Sequence, residues 1–272
     1  MSPVVRFATR LPCVALLCLF VVGTWATLVQ ADEPRPIKAL LVTGGCCHDY
    51  EQQKTIVTEG ISARANVVWT IVHEGKDRKD KIGLYEKPDW AAGYDVVVHN
   101  ECCGAVEDVA FVNNIARPHF EGVPAVMLHC STHSYRTAKT DDWRQTVGQS
   151  SFSHEKARDL TIKTVAKDHA IMQGFPADWL DKTDELYKNE KLWPNVTSLA
   201  TSYGEETKKD HTVIWTNTYG KGKIFATTLG HTNDTMKDPV YLDLITRGLL
   251  WSCGKLDDHG KPLPGYGPQT KK

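Results

Sequence analysis

The sequence predicts an α/β fold in which a doubly wound, mostly parallel sheet is flanked by helices and followed by a late β-hairpin. Three observations carry this. Short, uninterrupted apolar runs, the mark of strands buried on both faces, recur at Ile37 to Thr43, Tyr94 to His99 and Val123 to Leu128. Amphipathic stretches of helical length separate them, which favours crossover connections and parallel pairing. The 272 residues, 41% hydrophobic and 24% charged, suit one large globular domain and exclude disordered, collagen-like and multi-span membrane classes.

The elements follow in order. Ile37 to Thr43 closes on Gly44-Gly45, a strand running into a tight loop, and Glu51 to Arg64 reads as a helix. Val67 to Val72 and Tyr94 to His99 repeat the strand signal, and Ala105 to His119 is a helix leading to Val123 to Leu128. Strands are expected at Leu160 to Val165 and Val196 to Tyr203. His211 to Thr218 and Lys223 to Leu229 form a hairpin around Tyr219-Gly220-Lys221-Gly222. A last helix spans Pro239 to Cys253, and residues 255–272, rich in Pro and Gly, read as a loosely held tail.

The amino terminus has the form of an export signal. Arg6 and Arg10 precede an apolar run from Leu11 to Val22, and Ala31 offers the small residue needed before a cut. Residues 1–31 are therefore expected to be removed, leaving a short linker at 32–36 and a domain at 37–254 in a periplasmic or secreted protein. The apolar run is short against the ~20 residues of a spanning helix, which favours a removed signal over the alternative of an uncleaved anchor extended to Val29, and no membrane association is expected after cleavage. With 32 Lys and Arg against 33 Asp and Glu, the formal charge of −1 gives no field for nucleic acid. Nothing in the sequence sets an oligomeric state.

A parallel sheet delivers every strand's carboxyl end to one rim, where open α/β folds bind ligands. The loops expected there carry Gly44-Gly45-Cys46-Cys47-His48-Asp49, His99-Asn100-Glu101-Cys102-Cys103-Gly104 and His129-Cys130-Ser131-Thr132-His133. Asp184-Glu185-Leu186-Tyr187 and Leu229-Gly230-His231 are further candidates. If the first strand neighbours the Tyr94 to His99 strand, the cysteine pairs meet across one gap. Cys46 or Cys47 is then expected to bond Cys102 or Cys103, since a ring closed by adjacent cysteines strains the peptide between them. The rival, a thiolate metal cluster, lacks the Cys-x-x-Cys spacing with which one loop chelates an ion.

His129 and His133, four residues apart, share a face if a helix starts there, as in metal-binding helices. With His231 or His48 and Glu185 they would hold a divalent ion such as zinc, with an open position that activates water or polarises a sugar carbonyl. The alternative is hydrogen bonding to backbone and substrate hydroxyls without metal. Asp184 and Glu185 face opposite ways on an extended segment, so only one serves a common centre, and Glu185 is preferred. Cys130 is a candidate nucleophile, against which stands the difficulty of keeping a thiolate in an exported protein.

Several of these residues stand in the order seen in one family. Gly44-Gly45 with His48, Leu128-His129, Asp168-His169 before Gly174-Phe175, Asp184-Glu185-Leu186-Tyr187, Trp215 leading to Tyr219-Gly220-Lys221-Gly222-Lys223, Leu229-Gly230-His231 and Gly248-Leu249-Leu250-Trp251 resemble the ThuA-like, or trehalose-utilisation, family over about Ile37 to Gly254. The resemblance implies a flavodoxin-like, class I glutamine-amidotransferase-like fold and a small sugar as partner, trehalose-related or a keto-sugar. The resemblance implies no settled reaction, and together with the shared rim it leads to the expectation of a hydrolase, lyase or isomerase with His129, Glu185 and His231 as catalytic residues, and Gly44, Gly45, His48, His133 and Tyr187 binding substrate. A non-catalytic sugar-binding module is the alternative. Leu128-His129-Cys130-Ser131-Thr132 lacks the flanking glycines of an amidotransferase Gly-x-Cys-x-Gly elbow, which argues against a glutaminase. Ala170 stands where the family commonly has proline, which assigns His169 to folding alone.

Overall fold

The computed structural model describes residues 1–3 and 34–269. The export signal expected over 1–31 lies, beyond its first three residues, outside the described residues. The body that begins at Pro34 is a mixed α/β domain built on one large, mostly parallel sheet.

In chain order the elements are β1 (Ile37–Gly45), α1 (Tyr50–Ser62), β2 (Val67–His73), β3 (Val96–Cys102), α2 (Val109–Glu121), β4 (Ala125–Leu128), α3 (Asp142–Val147), β5 (Gln149–Ser150), β6 (Arg158–Thr164), β7 (Asp178–Asp184), β8 (Lys191–Leu192), β9 (Thr197–Tyr203), β10 (Asp210–Tyr219), β11 (Gly222–Thr227), α4 (Asn233–Lys237) and α5 (Pro239–Ser252). The main sheet has nine strands in the order β2-β1-β3-β4-β11-β10-β9-β6-β7, and β5 pairs with β8 separately. From β2 to β11 every pairing is parallel, and from β11 to β7 every pairing is antiparallel. The runs at Ile37 to Thr43, Tyr94 to His99 and Val123 to Leu128 thus lie in adjacent parallel strands. The return of β10 through a tight turn inserts β11 beside β4.

Side-chain alternation along the strands supplies both faces of the core. Ile37, Ala39 and Leu41 pack with Val57, Ile61, Leu244, Ile245 and Leu249 of α1 and α5. Leu40 and Val42 pack with Phe111, Val112 and Ile115 of α2 and Trp143 of α3. Carboxylate caps fix where helices begin: Asp49 accepts from the Gln52 amide, Asp108 from Phe111 and Asp238 from Val240. The Asp108 cap holds Ala105 to Glu107 outside α2, so that helix begins later than its apolar pattern suggests.

Two expectations are corrected. β3 continues to Cys102, because Gly45 of β1 pairs with Cys102, so His99, Asn100 and Glu101 belong to a strand instead of a loop. The segment after Gly254, expected to be loosely held, is tied down as far as Tyr266. Leu256 and Tyr266 pack on the core, and the Asn66 side chain donates to Gly265 O at 3.0 Å. Its prolines and glycines shape turns on the body, and apolar contacts hold them there.

Candidate active site

The carboxyl ends of β1, β3, β4 and β11 open into a cavity of about 240 Å³ lined by Cys46, Cys47, His48, Cys130, His133, Arg136, His154, Glu185 and His231, among others. This is slightly below the ~300–1,000 Å³ of ordinary small-molecule sites, room for a small ligand. Gly44 and Gly45 bring β1 into it. Both have left-handed backbone (φ 129° and 83°), and a Cβ would fall 1.9 Å from Glu74 O and 2.3 Å from Cys102 O. Their role is close chain packing, and neither lines the cavity.

His129 follows β4 in left-handed backbone (φ 44°), a strained conformation for a residue with a Cβ. Its Nδ1 donates to Thr228 O at 2.6 Å, which aims Nε2 at Glu185 Oε2, 3.6 Å away, and at the Tyr187 hydroxyl, 3.3 Å away. The ring is buried just behind the cavity, with His48 and His231 ring centres 4.7 and 5.4 Å away. Ring nitrogens of His48, His129 and His231 lie within 4.8 Å of one another.

β7 is the far edge of the sheet, yet its end reaches this centre. Thr183 takes left-handed backbone (φ 58°) and turns the chain, and a bridge between His154 and Tyr187 holds the returning segment. Asp184 and Glu185 then serve different partners. Asp184 accepts from the amides of Gly230 (2.7 Å) and His231 (3.2 Å), fixing the loop after β11. The Glu185 carboxylate lies 3.6 Å from His129, 3.5 Å from His231 and 3.5 Å from His154.

The charges separate accordingly. Burial opposes a charge on His129, but the carboxylates of Glu185 and Asp184 outweigh it and raise its pKa. Burial also opposes ionisation of Glu185, and His129, His231 and His154 overcome it, holding the carboxyl down to about 2. Burial, with His129 and His231 nearby, lowers His48 to about 3, and burial followed by His129 lowers His231. The His129–Glu185 pair thus favours its charged form, and burial favours the neutral form of His48 and His231, which sets a proton donor beside proton acceptors.

Three sequence expectations change here. His129 and His133 do not form a helical ligand pair. Residues His129–His133 are a 3₁₀ turn, in which positions three apart eclipse, so Cys130 lies under His133 at 3.9 Å (Sγ to Nε2). Tyr187, expected to bind substrate, is fully buried, with its ring stacked on His133 at 4.1 Å and its hydroxyl facing His129 and Cys130. It positions other groups. Cys46 is bonded to Cys47, while Cys102 and Cys103 are free thiols. The β1–β3 register does bring Cys46 to Cys102, Sγ to Sγ 3.6 Å. The left-handed backbone at Cys47 (φ 86°) turns its side chain toward Cys46 instead. Strand alternation sends Cys103 to the opposite core.

His154, Arg78 and Arg136 also line the cavity, and sequence reasoning does not single them out. His154 sits in Ser151-Phe152-Ser153-His154, which has no periodicity or motif to mark it. The sole signal for Arg136 is its place on the loop after β4.

Parallel strands with a polar centre at their carboxyl edge define an open α/β protein with its ligand site at the strand ends. The ThuA family, described as trehalose utilisation, matches residues 38–252, and the chain belongs to it. That places it, coarsely, in carbohydrate metabolism. No curated protein matches the chain. A putative ThuA-like protein from Parabacteroides merdae is similar in structure, with TM-score 0.65, 19% identity and coverage of 87% of this chain and 98% of that one. Another, from Bacteroides uniformis, gives TM-score 0.61 at 13% identity, covering 84% and 96%. A putative GMP synthase component from Thermoplasma acidophilum shares the fold at TM-score 0.51 and 13% identity, covering 81% and 96%.

Proposed function

We propose that this chain is an exported enzyme acting on a trehalose-related sugar or keto-sugar, with the chemistry centred on His129, Glu185 and His231. One observation carries the reading: a single carboxylate, Glu185, stands within 3.6 Å of ring nitrogens from three histidines at the wall of a cavity. Bringing distant loops together around polar groups costs loop ordering and desolvation, which favours a used site over an incidental one.

The His129 imidazolium, steadied by Glu185, donates a proton to a sugar carbonyl or leaving oxygen. Neutral His231 or His48 accepts one from a hydroxyl or from the carbon beside the carbonyl. Tyr187 and the Thr228 carbonyl hold the His129 ring in place. The arrangement suits isomerisation, elimination or hydrolysis. A divalent ion such as zinc, held by the ring nitrogens of His48, His129 and His231, would stand in place of the His129 Nε2 proton and polarise the same carbonyl in its stead. Support for export rests on the amino-terminal pattern at 1–31, and the domain proper is assigned to 37–254. The 2-1-3-4 order of the parallel strands, as in flavodoxin-like sheets, is consistent with a ligand crevice at the β1/β3 reversal.

The test is a panel of trehalose, related disaccharides and their keto derivatives followed by NMR, with wild type and His129→Asn. Asparagine tolerates the left-handed backbone at this position. Conversion by wild type that falls ~10²–10⁴-fold in the variant supports the proposal. Saturable sugar binding without conversion would make the chain a binding module.

A further inference from the structure

A second set of donor atoms, unused by that chemistry, stands on the same wall. Cys102 ends β3 and Cys130 follows β4, and because these strands are neighbours both side chains reach one point. The sulfurs of Cys102 and Cys130 and a ring nitrogen of His133 lie within 4.8 Å of one another, and all three residues are buried. Cys46 is engaged with Cys47, which leaves Cys102 a free thiol beside it.

One edge of this triangle is close to ligand spacing. Metal–sulfur bonds of ~2.3 Å and metal–nitrogen bonds of ~2.0–2.1 Å in a tetrahedral site separate donors by about 3.5–3.8 Å. Cys130 Sγ and His133 Nε2 are 3.9 Å apart, a poor hydrogen bond but close to a ligand edge. His133 is otherwise unexplained. Among the described residues its Nδ1 has no hydrogen-bond partner and its Nε2 has only that sulfur, although the ring is almost wholly buried. A buried imidazole without a good hydrogen bond is costly, and an ion on Nε2 would offset that.

We propose that Cys102, Cys130 and His133 form a binding site for a thiophilic d¹⁰ metal ion, Zn(II) or Cu(I), with the fourth position facing the cavity. His48 Nε2, 3.1 Å from Cys130 Sγ, is the nearest further donor. On binding, two sulfur–metal bonds replace two S–H bonds, and both protons leave to solvent. The oxidation state of sulfur does not change. Soft thiolates select this class of ion over magnesium or calcium.

Cadmium is the probe, added to full-length protein purified without an affinity tag and followed by the thiolate-to-cadmium charge-transfer band in the ultraviolet. The expected result is one Cd(II) per chain with a band halved by Cys102→Ser or Cys130→Ser and abolished in the double variant. Cys253→Ser should leave it intact, and His133→Ala should keep it while weakening binding on the order of tenfold or more. Circular dichroism of each variant establishes folding. Absence of a band in wild type, its survival in the double variant, or a Cys102–Cys130 disulfide in unreduced protein would each overturn the assignment. Sugar turnover is not read, and cadmium held only by histidines gives no thiolate band, so failure here is separable from failure of the proposed enzyme.

Discussion

Two histidine–glutamate clusters stand on opposite faces of the same strand ends, and they differ in how closely their side chains meet and in their access to a cavity. In the closed cluster, His99 Nδ1 is 3.0 Å from Glu101 Oε1, the hydroxyls of Tyr85 and Tyr135 donate to that oxygen at 3.1 and 3.2 Å, and His99 Nε2 meets His119 Nε2 at 3.1 Å. His119 Nδ1 donates to Val123 O at 2.9 Å, and His99, Glu101 and His119 are all 0% exposed. In the open cluster, Glu185 stands 3.5–3.6 Å from each of its imidazoles, and among the described residues His231 Nδ1 has no hydrogen-bond partner. Similar residue types thus serve two ends. Side chains that meet at 3.0–3.2 Å without exposure make scaffold, although Glu101 Oε2 keeps no partner among the described residues, and those held at 3.5–3.6 Å beside a cavity leave room for a ligand.

The comparison is sharpened most by stability. His99→Ala removes a partner from both Glu101 and His119 in a site without solvent, at a cost of roughly 2–4 kcal/mol. The thermal midpoint should fall by about 5–10 °C. His231→Ala, at a half-buried position, should move it by no more than ~2 °C. Calorimetry on the two variants checks this, and equal losses would erase the distinction.

A smaller effect lies in pH dependence. Burial first, and then His99, lowers His119 from 6.5 to about 3. A depressed folded pKa gives stability that is full above the unfolded value of 6.5 and is lost as pH falls through about 3. His129 has the opposite sign, since its raised pKa contributes below 6.5 and is lost as pH rises through the folded value. Thermal midpoints measured from pH 7 to pH 3 should fall less steeply in His119→Asn than in wild type. An unchanged slope would mean that this ring is not held neutral.

The apolar runs make the parallel half of the sheet legible, because strands buried on both faces need continuous hydrophobic sequence. β7 is not legible in the same way, because Asp178-Trp179-Leu180-Asp181-Lys182-Thr183-Asp184 is an edge strand with several exposed polar positions. The rim loops stand out as a concentration of histidine and cysteine, but not which residues face the cavity. That depends on β3 running on to Cys102, which turns His99 and Glu101 to one face and Asn100 and Cys102 to the other. It depends equally on left-handed backbone at Cys47, His129 and Thr183, which residue type does not announce. His154 carries no signal, since only the returning segment from β7 brings Glu185 to it.

The most direct test replaces the same residue in the two clusters. Turnover of the sugar identified in the substrate panel, expressed per folded molecule, is measured for Glu185→Ala and Glu101→Ala alongside wild type. The account predicts at least a ~100-fold loss for Glu185→Ala, because the open cluster loses the carboxylate that holds its proton donor, and near-wild-type turnover for the folded fraction of Glu101→Ala. Full turnover in Glu185→Ala, or an equal loss in both, would contradict it.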